Sequence, residues 1–461
     1  MNNNKKKYSE IFNDCIQCPH CGSNTQQGFD IETLCCSTCG TEQFYLGDIP
    51  CFFPSGIHHK VIWQHQTACM QHMAQQGLDT LQEALSRYDL TDKSRARLID
   101  IQTANKINFE SILALLQKNG IDPIPNEQLS QINPGDMSEY FDLIFRDWAW
   151  DSTVTPHNEN ALALAKTIEA IAALPATPKR ILVLGVGAGR LSWDLHTQLK
   201  PEFSVALDSN PLLLAVAGEL VYNQQPLSLS EFKIFPQINH PNAQHWKIDA
   251  VQDTDNLRNT WQLLGADVWQ LPFSKKAFDL IITPWFIDVN GGDLRDLIGI
   301  IDNLLIDGGH WINSGPLLFT RHLPTQFKYT AEEIKEFIAL SGFNFNSEKI
   351  SVADHLLSPI EARYRKEQVW TFSATKQKSK PEPHSGTPAW LIMHHLPIPK
   401  INFTCQDSHP LIDIILEKVD GILSINDMCF EIAMHIPEGI AVKDVVVTLF
   451  GQILSEKAQH K

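Results

Sequence analysis

Hydrophobic positions change their spacing several times along the chain. From about residue 57 to 135 they recur at helical intervals, as in Val61-Ile-Trp-Gln-His-Gln-Thr-Ala-Cys-Met70, with little clustering of β-branched residues, which predicts a helical segment. From about 136 to 375, short apolar runs alternate with amphipathic stretches, the pattern of strands and helices in an α/β sheet. Residues 376–388 are polar and proline-bearing and read as a linker. Residues 389–461 predict a small C-terminal α+β module: a helix, a short hairpin around Asp420-Gly421, a second helix, and a long helix from about Val442. Residues 1–56 follow neither period.

Composition narrows the class. The 461 residues are too many for one ordinary domain, and 43% hydrophobic with 20% charged content is that of a globular protein. No apolar run is long enough to span a bilayer, and the Met1-Asn-Asn-Asn-Lys-Lys-Lys start lacks a signal-peptide core, so a cytoplasmic location is expected. The formal charge of −16 argues against general nucleic-acid binding, because an acidic surface repels phosphate. Six of the ten cysteines fall between Cys15 and Cys39, a clustering that points to a metal rather than to a disulfide scaffold.

Four motifs carry the chemistry of 136–375. Arg180-Ile-Leu-Val-Leu-Gly185 is an apolar strand that runs into Gly185-Val-Gly187-Ala-Gly189-Arg190 and then a helix. Alternating glycines at such a turn let backbone approach a ligand closely, as in dinucleotide enzymes, and alone they mark only a tight turn of a doubly wound fold. The next strand, Phe203-Ser-Val-Ala-Leu-Asp208, ends in a carboxylate about 20 residues on, placed to accept both ribose hydroxyls of an adenosine. Its other reading is a simple helix cap before Pro211. A third strand over about 260–266 ends at Asp267, a candidate acceptor for an adenine amino group. The fourth, Asp279-Leu-Ile-Ile-Thr-Pro284-Trp-Phe-Ile-Asp288, runs out toward the ligand side of the sheet.

Leu271-Pro-Phe before Phe278-Asp279, and Leu304-Leu-Ile-Asp-Gly-Gly309-His-Trp-Ile-Asn313, resemble segments of S-adenosylmethionine (SAM)-dependent methyltransferases. The Gly-Gly strand entry separates them from hydride-transferring enzymes. Phe145-Arg-Asp-Trp148, Leu184-Gly-Val-Gly-Ala-Gly-Arg-Leu-Ser-Trp-Asp194, Trp285-Phe-Ile-Asp288, Trp311-Ile-Asn-Ser-Gly-Pro-Leu-Leu-Phe319 and Tyr329-Thr-Ala-Glu-Glu-Ile334 together resemble the carnosine N-methyltransferase family over about 140–375. The resemblance implies a Rossmann-like core with a mostly parallel seven-stranded sheet. It implies SAM held by Arg146, Gly185 and Gly187; Gly189, Arg190, Asp208, Asp267 and Pro284 complete the candidate cofactor set. It implies an imidazole-type acceptor held by Asp288, with Tyr364 as a second acceptor-side residue. The other reading of Asp288 is a cap for the helix near Asp293, for which the spacing is too long. Where the family carries a Tyr-His pair after Gly-Pro-Leu-Leu this chain has Phe319-Thr320, and where it carries three tyrosines this chain has Tyr364-Arg-Lys366. Arg365 and Lys366 are candidates to face an anionic group on the acceptor, or else solvated charges on an edge strand.

Cys18-Pro-His-Cys21 and Cys36-Ser-Thr-Cys39 form C-x2-C-x14-C-x2-C, the spacing of two knuckles that set four thiolates around structural Zn2+. The segment 18–54 resembles the small zinc-ribbon activator of translation-factor and RNA methyltransferases. Either it clamps the catalytic domain or it recognises a macromolecular substrate, and net acidity favours the clamp. The C-terminal module resembles winged-helix-like modules and is the candidate surface for a protein partner or self-association. The functional expectation is SAM-dependent N-methylation of a small molecule or peptide. The competing readings are an RNA or ribosome-associated methyltransferase guided by the ribbon, and a catalytically idle SAM-binding scaffold.

Overall fold

A computed structural model of the chain describes residues 10–54, 56–124, 140–150, 158–233, 235–239, 242–377, 387–399, 410–437 and 439–459. The end of the sequence-expected helical segment and most of the linker lie outside the described residues. No helix among them is long and apolar enough to cross a membrane.

Thirteen strands are described. β1 (Phe29–Asp30), β2 (Cys35–Cys36), β3 (Phe44–Leu46) and β4 (Ile49–Phe52) precede β5 (Arg180–Leu184), β6 (Phe203–Asp208), β7 (Leu227–Phe232), β8 (Ala243–Ile248) and β9 (Trp261–Ala266). β10 (Phe278–Pro284), β11 (Leu305–Gly315), β12 (Phe343–His355) and β13 (Arg365–Lys376) follow. The main sheet has nine strands in the order β12-β13-β11-β10-β5-β6-β9-β4-β3. Strands β11, β10, β5, β6, β9 and β4 are parallel neighbours, and β13, β12 and β3 are antiparallel additions.

The central strands are buried on both faces, which is why they read as unbroken apolar runs rather than alternating ones. Several of the helices on the sheet start on a polar cap, while Arg190–Leu199 starts at Gly189 with no side-chain cap. Asn210 accepts from the Leu212 and Leu213 amides ahead of Pro211, Asp293 accepts from the Arg295 amide, and Thr330 forms a capping box with Glu333. Strand order reverses beside β5, with β6 on one side and β10 on the other, so the crevice at their carboxyl ends is where a ligand fits.

Two features depart from the expected architecture. Beyond the expected seven strands, β3 and β4 extend the sheet to nine, with Cys51 opposite Gly265 and Phe52 opposite Ala266. The reason is that β9 would otherwise be an open edge, and Cys51 and Phe52, both fully buried, cover it. The C-terminal module is helical where described, without the hairpin expected around Asp420. Asp420 instead accepts the amides of Ile422 and Leu423, closing a turn between Pro410–Lys418 and Ile425–Ile432, and a single bridge pairs Pro397 with Ser424. Ile415, Met428, Val446 and Phe450 form its own core. The helical segment is two helices, Ile57–Leu85 and Asp92–Lys118, the second capped by Thr91 and tied to β7 by Asn108, which exchanges two hydrogen bonds with the Ser230 backbone.

Candidate active site

A cavity of about 410 Å³ opens at the carboxyl ends of β5 and β10, inside the usual size range of small-molecule sites. One wall is the glycine turn. Gly185, Gly187 and Gly189 all have positive φ, at 70°, 60° and 88°. Gly185 also admits Phe286: a Cβ there would lie 2.3 Å from the ring. A Cβ on Gly187 would point toward the Asp147 carboxylate and the Arg146 guanidinium, 3.7 and 4.0 Å away. Gly189 instead serves packing, because its Cβ would press on Ala217 at 3.1 Å.

The helix Phe141–Trp148 carries Arg146 and Asp147 to this turn. It is stitched in place by Trp148 Nε1 donating to Ala188 O at 2.8 Å, Arg190 Nη1 donating to Asp147 O at 3.1 Å, and Asn160 Nδ2 donating to Arg146 O at 2.7 Å. Arg146 and Asp147 pair at 2.6 Å, and Asp147 Oδ2 is buried without a hydrogen-bond partner. The guanidinium and the glycine backbone thus converge on the cavity.

Asp288 lines the same cavity. Its Oδ2 accepts the Leu318 amide at 2.7 Å, while Oδ1 is buried with no partner. Burial raises its pKa, the Leu318 hydrogen bond opposes this, and the charge of Glu367 adds to the rise. The helix cap near Asp293 is made by Asp293 itself, leaving Asp288 free of that task.

A third wall joins Arg365, a sequence candidate, to Trp285, His355 and Glu367, to which sequence reasoning assigned no role. Trp285 follows β10 with φ at 46°, a left-handed conformation rare for a bulky residue. It fits because Gly315 has no Cβ, which would lie 2.9 Å from the Trp285 N and Cα. Its indole Nε1 donates to Glu367 Oε2 at 3.0 Å, Arg365 Nε approaches Glu367 Oε1 at 2.7 Å, and His355 Nδ1 lies 3.5 Å from Oε2. The β12–β13 register, with His355 opposite Arg365 and Ala353 opposite Glu367, brings these together. Burial, followed by the charges of Arg146 and Arg365, lowers the His355 pKa to about 3 and keeps the ring neutral. Glu367 lies in the polar run Arg365-Lys-Glu-Gln368 that opens β13, and neither it nor His355 carried a sequence signal.

Of the expected site residues, Arg146, Gly185, Gly187, Pro284 and Asp288 line the cavity together with Arg365. Gly189, Arg190, Asp208 and Asp267 sit outside its lining. Arg190 pairs with Asp194 at 2.8 Å and lies over the Trp148 ring. Asp208 accepts from the Gly187 amide at 2.8 Å and from the Asn210 amide at 2.9 Å, behind the turn. Asp267 accepts the Trp269 amide at 2.9 Å and caps the turn Val268–Gln270. Burial raises the pKa of Asp208 and Asp267 to about 6 each. Tyr364 is not brought to the cavity: it is 65% exposed just before β13, where the hairpin turns its side chain away. Lys366 lies 3.7 Å from Asp354 and stays at the surface.

A model of a known family, described as carnosine N-methyltransferase, matches residues 127–376, more than half of the chain. The chain belongs to the carnosine N-methyltransferase family. Among its relatives is a carnosine N-methyltransferase of Schizosaccharomyces pombe, 30% identical over 159 residues, covering 30% of this chain and 40% of that protein. Another is that of Mus musculus, 27% identical over 188 residues, covering 37% and 45%. The chain therefore spans less than half the length of these relatives. A solved structure of the N-methyltransferase NodS from Bradyrhizobium japonicum WM9, in complex with S-adenosyl-L-homocysteine (SAH), overlaps 51% of this chain and 98% of its own at 12% identity, with a TM-score of 0.32.

The second cluster is remote from the cavity. The Sγ atoms of Cys18, Cys21, Cys36 and Cys39 lie within 4.8 Å of one another. Their two loops match bond for bond. The Gly22 amide donates to Cys18 O and the Gly40 amide to Cys36 O, at 2.9 and 2.8 Å. The Cys18 amide donates to Ser23 O and the Cys36 amide to Thr41 O, at 2.8 and 3.0 Å. The Ser23 and Thr41 hydroxyls each lie 3.2 Å from a sulfur, of Cys21 and Cys39 respectively. His59, beside this region in sequence, is no ligand: it stacks on Phe53 at 3.7 Å, and burial lowers its pKa to about 3.

Proposed function

We propose that the chain is a SAM-dependent N-methyltransferase acting on a ring nitrogen, of imidazole type, in a small molecule or peptide. The observation that carries this reading is Asp288: a buried carboxylate with one oxygen anchored by Leu318 and the other unpartnered, in the same cavity as the glycine turn and Arg146. The donor side fits SAM in shape and charge. Glycines at 185 and 187 leave room for a ligand against backbone, and Arg146 supplies a guanidinium suited to a carboxylate. SAM, when bound, supplies an electrophilic methyl group.

The residues of the chain do the rest. Asp288 Oδ1 accepts the N–H of the acceptor ring, which fixes the tautomer and leaves the other ring nitrogen with its lone pair directed into the cavity. When SAM is bound, that nitrogen would take its methyl group, and Asp288 would receive the surplus ring proton. Trp285, Leu318 and Val289 line the same cavity and give the acceptor ring an apolar surface to lie against. In the ribbon, Cys18, Cys21, Cys36 and Cys39 would hold a structural Zn2+, whose tetrahedral thiolate chemistry suits four clustered sulfurs on paired loops.

The test is Asp288→Asn. SAH affinity by calorimetry should stay within two-fold, and methyl transfer from labelled SAM to carnosine or to a peptide fraction of lysate should fall by about 100-fold or more. Label appearing in RNA instead, or turnover unchanged in the variant, would sink this reading.

A further inference from the structure

The segment 267–274, which follows β9, packs on the core through Phe273 against Phe278 and is gripped along its backbone by residues 15–19. On one side, β4 pairs in parallel with the last two residues of β9, Cys51 with Gly265 and Phe52 with Ala266. On the other, the backbone leading into the first cysteine knuckle runs antiparallel to the segment. The Gln17 amide donates to Pro272 O at 2.9 Å, the Ser274 amide donates to Cys15 O at 2.8 Å, and Ile16 bridges Phe273. Gln270 Nε2 donates to the carbonyl of Pro19, which stands between the ligand positions Cys18 and Cys21. Ile16 and Phe52 are fully buried, Phe273 nearly so, and all three share one apolar cluster with Cys18 and Cys36. The same segment reaches the acceptor side, where Trp269 occupies space that a Cβ on Gly292 would enter at 2.3 Å.

We propose that the four-cysteine ribbon is a strut for the adenosine half of the methyl-donor site, with Gln270 as a positioning residue. A metal held by the four sulfurs fixes the Cys15–Pro19 backbone. That backbone fixes 267–274, and so the direction in which Asp267 faces the adenine. This rests on the reading of Asp267 as an adenine-side residue. Without a metal, four thiols within 4.8 Å have no common partner, and the knuckle that presents the Pro19 carbonyl loses its clamp.

The experiment uses the full chain loaded with zinc. SAH and methylthioadenosine, which lacks the amino-acid half, are titrated by calorimetry before and after treatment with EDTA, with zinc content measured alongside. Removal of zinc is expected to weaken both ligands at least five-fold, and re-addition to restore both. Gln270→Ala, which leaves all four sulfurs in place, should weaken both by about five-fold, the size of one net hydrogen bond. Arg146→Ala should weaken SAH alone. If EDTA unfolds the chain by circular dichroism, the Gln270→Ala result decides. Unchanged affinities in Gln270→Ala, a loss confined to SAH, or a chain that takes up no zinc would each overturn the strut. SAH failing to bind the zinc-loaded wild type would overturn the methyl-donor reading as well.

Discussion

Gly185 and Gly187 stand two residues apart in the same turn, with almost the same positive φ, yet an alanine at each meets different surroundings. At both positions the left-handed backbone costs a non-glycine residue about 1–2 kcal/mol, partly offset by about 0.4–1 kcal/mol from a stiffer unfolded chain. At Gly187 the methyl has ordinary contacts at 3.7 and 4.0 Å, so the net loss of stability is about 1 kcal/mol. At Gly185 it lands 2.3 Å from Phe286 Cδ2, and moving a packed ring adds about 1–3 kcal/mol. Phe286 is two residues from Asp288, so the displacement reaches the acceptor side. Urea unfolding followed by tryptophan fluorescence should therefore rank Gly185→Ala below Gly187→Ala by about 1–3 kcal/mol. Calorimetry with SAH should rank them the other way relative to stability, because only the Gly187 methyl projects toward Arg146. A Gly185→Ala variant as stable as Gly187→Ala would refute the packing argument.

Further expectations concern charge. Asp208 and Asp267 both titrate near pH 6 in the free protein, and only their ionised forms accept hydrogen bonds through both oxygens. SAH binding should thus weaken as pH falls from 7 to 5, by about ten-fold for each carboxylate that contacts the ligand; a flat profile would remove both from the donor site. His59 and His355 are held neutral with pKa values near 3, below the ordinary value of 6.5. A folded-state pKa below the unfolded one means the unfolded chain binds the extra proton, so this stability is present above pH 6.5 and is lost as pH falls toward 3. His59→Phe, which keeps the stack on Phe53, should flatten the fall of the melting temperature between pH 7 and 5; an unaltered slope would show that His59 takes no part.

Much of the donor side was legible because it depends on local order. The spacing of Gly185, Gly187 and Gly189 at a strand end, and of the four cysteines in two short loops, encodes geometry within a few residues. Both sets came together as their spacing implied. Asp288 was legible through its place at the end of an apolar strand and its distance from the helix cap at Asp293. Arg365 was a candidate, but its grouping with Trp285, His355 and Glu367 was not legible, because it depends on one hairpin register between β12 and β13 and on a left-handed residue made possible by Gly315, thirty positions away.

Local patterning thus specified the elements, most of their caps, the glycine turn and the four-cysteine cluster, since each is settled by φ preference, period and hydrogen bonding over short spans. Pairing across long stretches of chain set the rest: β4 closing the edge of β9, the ribbon gripping 267–274, Asp420 ending a turn where a hairpin was expected, and Tyr364 facing solvent while Arg365 faces the cavity. In a strand a shift of one residue reverses the face a side chain takes, and no short-range pattern in the sequence records which register a distant partner will impose.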